Sequence, residues 1–149
     1  MDIAELNRRI SAEIPAVGAL RLEVVYADSS RVAVRIPADG NGNDKGTLFA
    51  GSRYSGLVLA GWCLAMERAR ESGFVSPWAA IVNSQVTYAK PLRVEAEAVA
   101  VFADEPHLVP GARNWAHISV SIGNEVAFTG RYAVGQTHTS HQRMLESLT

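Results

Sequence analysis

The chain has 149 residues, 48% of them hydrophobic and 19% charged, and its formal net charge is −1. This length suits one domain with its own core, and we expect a single domain over residues 1–149. Because the chain has no excess of basic residues to bind a phosphate backbone, its composition argues against nucleic-acid binding. The most apolar run, 57–66, is far shorter than the ~20 residues that cross a bilayer, so we expect no membrane insertion.

The cysteine content and the N-terminus indicate the compartment. Cys63 is the single cysteine of the sequence and lies within the apolar run, where a free thiol is more often core packing than a nucleophile. It has no partner for a disulfide, which fits a reducing environment. The first fifteen residues carry acids early and lack an apolar stretch, so they do not form a signal peptide. We therefore expect a cytoplasmic protein.

The first forty residues predict a short helix and a β-hairpin. Asp2 is a candidate N-cap of an amphipathic helix over residues 2–14, and Pro15 marks its end. Residues 20–27 and 31–37 are rich in β-branched residues and are separated by a short polar turn, which is typical of a hairpin.

Residues 43–72 are the most distinctive stretch of the sequence. A glycine-containing loop leads to Thr47, a candidate N-cap, and a helix of roughly 40 Å is predicted from there to Ser72. Apolar residues fall on nearly every side of this helix, which predicts that it is buried. Its first turns also carry small residues, which would let another backbone or a ligand approach closely: Ala50, Gly51, Ser52, Ser55, Gly56, Ala60 and Gly61.

Four more strands are predicted after the helix, followed by a polar tail over 135–149 that we expect to be mobile. The strands are 78–90, 94–103, 115–122 and 126–134. In the first of them, simple alternation places Ile81, Asn83 and Gln85 on one face and Val82, Ser84, Val86 and Tyr88 on the other. Short links make the strands antiparallel. The expected fold class is α+β, with an antiparallel sheet of five to six strands wrapped around one long central helix.

The loop and helix resemble a known family. The spacing Asn43-x-x-Gly46-x-x-Phe49-Ala50-Gly51 is similar to the N-x-x-G-x-x-H-G-G pattern of hotdog-fold acyl-CoA thioesterases. The segments GTLFAGSRYSGLVLAGW and SQVTYAKPL resemble the thioesterase branch of the YiiD C-terminal type, and the resemblance covers about residues 20–134. It implies the hotdog fold and a homodimer or dimer of dimers, with sites at the subunit interface. It also implies an acyl-CoA or acyl-carrier-protein thioester as substrate, whose CoA or phosphopantetheine is part of the substrate and not a separate cofactor.

The resemblance implies that the backbone N–H groups of Ala50 and Gly51 bind the thioester oxygen, at the positive end of the helix. The alternative is that these small residues only allow the sheet to pack closely. The sequence departs from the family pattern at the base, because Phe49 stands where the histidine is expected and Val58 where an acid is often found. No carboxylate lies between Asp44 and Glu67, and Glu67 is roughly 30 Å along the helix from Thr47.

The residues that remain for placing a water are polar but not basic. Asn43 could orient a water or the thioester, or could form an Asx-turn at the helix entry. Ser52 and Ser55 could hold a water or serve only as small packing residues. Asp44 could be a loop base, although an exposed turn aspartate is the more common case.

Several further residues are candidates for binding the substrate. Phe49 and Val58 are candidate contacts of the acyl group, and Leu57, Leu59 and Trp62 would line an acyl pocket or simply form the core. Asn83 and Gln85 would reach the site from the partner subunit, or lie in the dimer contact. Tyr88 and Lys90 would meet a CoA phosphate or adenine, or be ordinary surface residues.

The histidines argue against two other kinds of site. The dehydratase branch of the fold needs a histidine and an acid, but no histidine precedes His107. His117 is interpreted as structural. His138 and His141 have the spacing of a metal pair but no third ligand, so we expect no metal site.

The sequence thus predicts a thioester hydrolase with an oxyanion site at a helix N-terminus. Because the usual base is missing, a non-catalytic acyl-thioester-binding domain or a dimerisation domain stays open as the alternative.

Overall fold

The computed structural model describes residues 2–137, which form three helices and a six-stranded antiparallel sheet. The strand order is β1-β2-β4-β5-β6-β3, so β1 and β3 are the two edges of the sheet. The elements in chain order are α1 (Ile3–Glu13), α2 (Pro15–Ala19), β1 (Glu23–Ala27), β2 (Arg31–Ile36), α3 (Ala50–Glu71), β3 (Pro77–Tyr88), β4 (Ala96–Phe102), β5 (Asn114–Ile122) and β6 (Val126–Gln136).

The sheet curls around α3, which contacts all six strands. Twelve of the 22 residues of this helix are buried, on most of its circumference. The inward side chains of the strands complete the core, with Val34 on β2, Ile118 on β5 and Tyr132 on β6 almost fully buried. The prediction of one long buried helix inside an antiparallel sheet is therefore confirmed, and this architecture is the hotdog fold.

Two glycines of α3 allow side chains of the sheet to approach the helix axis. A Cβ added to Gly56 would lie 2.5 Å from Ile36 Cδ1, and one added to Gly61 would lie 2.3 Å from the Tyr132 hydroxyl oxygen. That hydroxyl donates a hydrogen bond of 2.9 Å to the Val58 carbonyl. At these two positions the small residues serve close packing of the sheet on the helix.

The helices begin and end at slightly different residues from those predicted. Phe49, not Thr47, is the N-cap of α3, because the Phe49 N–H donates to the Asn41 carbonyl and a bridge between Gly42 and Leu48 holds this stretch extended. Pro15 ends α1 as expected, but it also begins the short helix α2, since proline suits the first turn of a helix.

A bulge changes the faces of β3. Its register with β6 shifts between Ile81 and Asn83, so that Ile81 pairs with Tyr132 while Asn83 pairs with Arg131. Ile81 therefore faces inward with Ser84, and not with Asn83 as simple alternation predicts.

The last strand, β6, extends two residues further than the sequence predicts. β6 includes Gly135 and Gln136, which we had assigned to the tail. Residues 138–149, which include the His138 and His141 whose spacing resembles a metal pair, lie outside the described residues. Of the helices within 2–137, none is long and apolar enough to cross a membrane.

Candidate functional site

The start of α3 presents free backbone N–H groups. The Phe49 N–H is bonded to the Asn41 carbonyl, and the Arg53 N–H is bonded to the Phe49 carbonyl. The amides between them, at Ala50, Gly51 and Ser52, belong to the first turn and have no intrahelical acceptor. Among the described residues no side chain caps this helix end, and Gly51 is exposed. Together with the helix dipole, these amides form a site for a carbonyl oxygen or an anion.

The Phe49 side chain flanks these amides. Its ring is 55% exposed and packs against the Cα of Gly51, where an added Cβ would lie 2.5 Å from Phe49 Cε2. The ring of Phe49 therefore occupies the space that a side chain at position 51 would take. Phe49 thus stands at the edge of the open amides.

The side chain of Asn43 is engaged within the loop that leads to α3. Its Oδ1 accepts hydrogen bonds from the N–H groups of Lys45 (2.9 Å) and Thr47 (3.0 Å). Its Nδ2 donates to Thr47 Oγ1 at 2.7 Å. This is the Asx-turn that we considered as the alternative for Asn43. A role for Asn43 in placing water stays a prediction.

An apolar groove lies along α3 and begins one helical turn after the open amides. Gly51, Ser55, Val58 and Trp62 lie on one stripe of the helix, four, three and four residues apart. The last three line a cavity of about 320 Å³, which we call the α3 groove. It has residues around α2 on one wall and Ala79, Ala80 and Ile81 of β3 on the other.

The residues that we expected in an acyl pocket divide between the groove and the core. Val58, Leu59 and Trp62 line the groove, with the Trp62 Nε1 donating to the Ala79 carbonyl at 3.1 Å. Leu57 is fully buried in the core instead. Ser52 is buried and is not among the residues that line the groove.

The groove contains hydroxyl groups but no ordinary base. Ser55 Oγ donates to the Gly51 carbonyl at 2.9 Å, and the Tyr54 hydroxyl lies 2.6 Å from Ser84 Oγ. Of the described residues that line the groove, none is Asp, Glu or His. The two groups there that can ionise are Tyr54 and Tyr132, and burial raises the pKa of Tyr132 far above its ordinary value.

Three residues meet beside the helix start on the side of the loop that follows β3. The Tyr88 hydroxyl donates to the Ala50 carbonyl at 3.2 Å, and burial raises the Tyr88 pKa. The Arg53 guanidinium carbon lies 4.5 Å from the centre of the Tyr88 ring, and its Nη1 donates to the Lys90 carbonyl at 3.4 Å. Tyr88 is thus joined to the helix start, whereas Lys90 contributes a backbone carbonyl and keeps an exposed side chain.

Arg53 was not among the residues that we singled out from the sequence. It is only 7% exposed, and its Nε is buried and finds no hydrogen-bond partner in the part of the chain that the structure describes. Sequence reasoning missed Arg53 because a helix that begins at Thr47 places this residue beyond the first turn, whereas the observed start at Ala50 places it at the unfavourable end of the dipole.

Asn83 and Gln85 lie on the other face of the sheet from the groove. They border a polar depression of about 440 Å³ together with His117, Thr129 and Arg131. Within one chain they do not meet Ala50 and Gly51. His117, which we interpreted as structural, is half exposed and lies 3.4 Å from an oxygen of Asp104.

The fold and this site define a hotdog protein whose central helix offers open amides at one end and an apolar groove beside it. The chain belongs to the family described as "putative thioesterase (yiiD_Cterm)", whose model matches residues 3–136. It is thus a thioesterase-like protein.

Solved structures share this fold at low sequence identity. The structure of the "putative thioesterase" from Shewanella oneidensis is 20% identical in sequence and matches with a TM-score of 0.76. The match covers 88% of this chain and 95% of that one. A thioesterase from Haemophilus influenzae is 15% identical with a TM-score of 0.72, and 95% of each chain is covered. A mutant thioesterase from Pseudomonas aeruginosa is 15% identical with a TM-score of 0.68, covering 90% and 94%. At these identities the likeness establishes the hotdog fold.

Proposed function

We propose that this protein hydrolyses an acyl thioester of CoA or of an acyl carrier protein in the cytoplasm. The observation that carries the proposal is the place of Ser55, which lines the α3 groove and donates a hydrogen bond to the Gly51 carbonyl, one helical turn away beside the open amides. A thioester has a polar carbonyl attached to an apolar chain. The start of α3 suits the carbonyl and the groove suits the chain.

The carbonyl oxygen would accept hydrogen bonds from the N–H groups of Ala50 and Gly51. Negative charge develops on this oxygen in the transition state, and the positive end of α3 stabilises it there. One such donor is typically worth about 3 kcal/mol of the barrier. The acyl chain would then run past Ser55 and Val58 towards Trp62, about 16 Å along the helix from Gly51.

Ser55 is the polar side chain best placed to position the water. Its hydroxyl hydrogen is used in the bond to the Gly51 carbonyl, so its lone pairs face outward as acceptors. A water that donates to Ser55 Oγ keeps its own lone pair for attack on the carbonyl carbon. Asn43 would support this arrangement by fixing the loop before the helix, and Ser52 would act only as a small residue beneath it.

The thiol half of the substrate would leave across Phe49 and Tyr88 towards the exposed ammonium group of Lys90. We propose that the complete site needs a second copy of the chain. β3 is a twelve-residue edge strand with an exposed Val82, and pairing with another β3 would cover its free hydrogen-bonding groups. In such a homodimer or dimer of dimers, Asn83 and Gln85 would approach the partner subunit.

One observation favours a non-catalytic alternative. Of the described residues that line the α3 groove, none carries a carboxylate or an imidazole that could accept a proton at neutral pH. A domain that binds acyl thioesters without hydrolysing them, or that serves mainly in dimerisation, needs no such group. The two kinds of function differ in turnover and not in binding.

The test is release of free thiol from a panel of acyl-CoAs and acylated carrier proteins, with binding measured in parallel. Hydrolysis supports the proposal, whereas saturable binding without turnover supports the alternative. Ser55→Ala should lower the turnover number about tenfold or more and leave the affinity nearly unchanged, because a misplaced water costs rate and not binding. Ser52→Ala is the matched control and should keep the rate of the unmodified protein. Equal rates in both variants would remove Ser55 from the mechanism.

A further inference from the structure

Arg53 is a buried cation without a counter-ion among the described residues. Its side chain forms no ion pair within 2–137 and makes one hydrogen bond, to the Lys90 carbonyl at 3.4 Å. The face of Tyr88 covers the guanidinium, and Nε has no hydrogen-bond partner within 2–137. A guanidinium can donate five hydrogen bonds, so most of its capacity is unused.

Its place in the helix makes this arrangement more costly. Arg53 is in the first turn of α3, where the dipole and the free N–H groups are already positive. A buried charge that lacks a partner is strongly unfavourable. The nearest acid in the sequence, Asp44, is exposed and pairs with Lys45 at 3.2 Å. Cation, dipole and free amides therefore all favour negative charge at one place.

The side chain is directed towards that place. Side chains of a helix tilt towards its N-terminus, so a long side chain at position 53 reaches back to the level of the first turn. The contacts agree, because Tyr88 both covers Arg53 and donates to the Ala50 carbonyl. Arg53 and the open amides of Ala50 and Gly51 are thus parts of one positive region.

We propose that Arg53 is the buried positive charge of an anion site at the start of α3, and that the anion is the carboxylate of a bound acyl group. This inference rests on the proposed function. Water oxygen bonds to the thioester carbon, the carbonyl electron pair moves onto its oxygen, and the C–S bond then breaks. The sulfur leaves as a thiol with one proton, and a carboxylate and a second proton remain.

Both the oxyanion intermediate and the carboxylate product carry a negative charge, which is the counter-charge that Arg53 needs. Arg53 acts through its field and not by contact, so it is a positioning residue. It makes the site prefer an acid to a neutral ligand of the same shape. Free fatty acids should accordingly bind more tightly than their amides and inhibit as products.

The test compares decanoate with decanamide by titration calorimetry, using the unmodified protein, Arg53→Met and Arg53→Lys. We expect the unmodified protein to bind decanoate about tenfold more tightly than decanamide, as a nearby buried charge predicts. Arg53→Met should lose most of this preference and keep only the part that comes from the helix dipole and the free amides, while its affinity for decanamide stays the same. Arg53→Lys should keep most of the preference. The melting temperature of Arg53→Met should not fall, because an apolar residue replaces an unpaired charge.

The outcomes separate this inference from the proposed function. If both ligands bind the unmodified protein and Arg53→Met keeps the preference for the acid, the inference about Arg53 is wrong and the groove is supported. The same conclusion follows if Arg53→Met changes the oligomeric state and not the preference, since the counter-charge then comes from a second copy. If neither ligand binds, this inference fails, whereas thiol release from the panel of acyl thioesters still decides the proposed function.

Discussion

Gly61 is the position where one added methyl group tests the packing beneath the α3 groove. Tyr132, which lines the groove, reaches the helix backbone only because Gly61 has no side chain. In Gly61→Ala the new Cβ would lie 2.3 Å from the Tyr132 hydroxyl oxygen and 2.7 Å from its Cζ. The ring is fully buried and cannot turn away, so the helix or the ring must shift.

The expected loss of stability is about 3 kcal/mol. Overpacking of a core typically costs ~1–3 kcal/mol. Displacing Tyr132 also breaks its bond to the Val58 carbonyl and leaves a buried hydroxyl without a partner, at about 1–3 kcal/mol. Alanine favours a helix over glycine by ~1 kcal/mol, which offsets part of this loss.

The free energy of unfolding is measured in urea for Gly61→Ala, for Tyr132→Phe and for the double variant. The cost of Gly61→Ala should be smaller in the Tyr132→Phe background, because the closest atom is then absent. Gly18→Ala is the control, since an added Cβ there meets nothing closer than 3.5 Å, and its stability should be unchanged or raised by up to ~1 kcal/mol. A Gly61→Ala variant as stable as the unmodified protein would refute this account of the packing.

Three further predictions concern the groove, the buried thiol and the loop. Trp62 also borders a wider depression of about 750 Å³ beyond the groove. Trp62→Ala should therefore shift the preferred acyl-CoA in a binding or hydrolysis panel towards longer acyl chains. An unchanged preference would mean that the acyl chain lies elsewhere. Burial raises the pKa of Cys63 to about 12 from 9.0, so the unfolded state loses its thiol proton first and stability falls as pH rises above about 9. Urea unfolding at several pH values should show a smaller loss of stability with rising pH for Cys63→Ala than for the unmodified protein. An equal loss in both would mean that the Cys63 thiol does not cause this pH dependence. Asn43→Asp keeps the acceptor for the Lys45 and Thr47 amides, whereas Asn43→Ala removes it and should lose about 1 kcal/mol of stability. The stability and the rate of thiol release of Asn43→Asp should therefore stay nearer those of the unmodified protein. An equal loss of rate in both variants would favour the water-placing role of Asn43.

The central features of the fold could be predicted because they follow from local patterns of apolar residues and turns in the sequence. A helix that is apolar on nearly all sides has to be enclosed, and short links make the surrounding strands antiparallel. The predicted N-cap of α3, Thr47, lies two residues before the observed one, Phe49, since the bond from the Phe49 N–H to the Asn41 carbonyl depends on tertiary structure. The bulge in β3 likewise has no glycine or other local signal, so the face of Ile81 could not be read from alternation.

The candidate site could be predicted only in part. The amides of Ala50 and Gly51 were singled out by the family resemblance, and the structure places both residues at the start of α3. The walls of the groove come from residues around α2 and from β3, which are distant in sequence and meet only in the fold. Arg53 is a single residue with no repeating pattern, and its lack of a partner becomes visible only when its surroundings are known.

The most direct test of the proposed function is a crystal structure with a non-hydrolysable analogue of an acyl-CoA. We expect its carbonyl oxygen about 3 Å from the backbone nitrogens of Ala50 and Gly51, with the acyl chain along Ser55, Val58 and Trp62. A carbonyl bound away from the start of α3, or an acyl chain outside the α3 groove, would contradict the account.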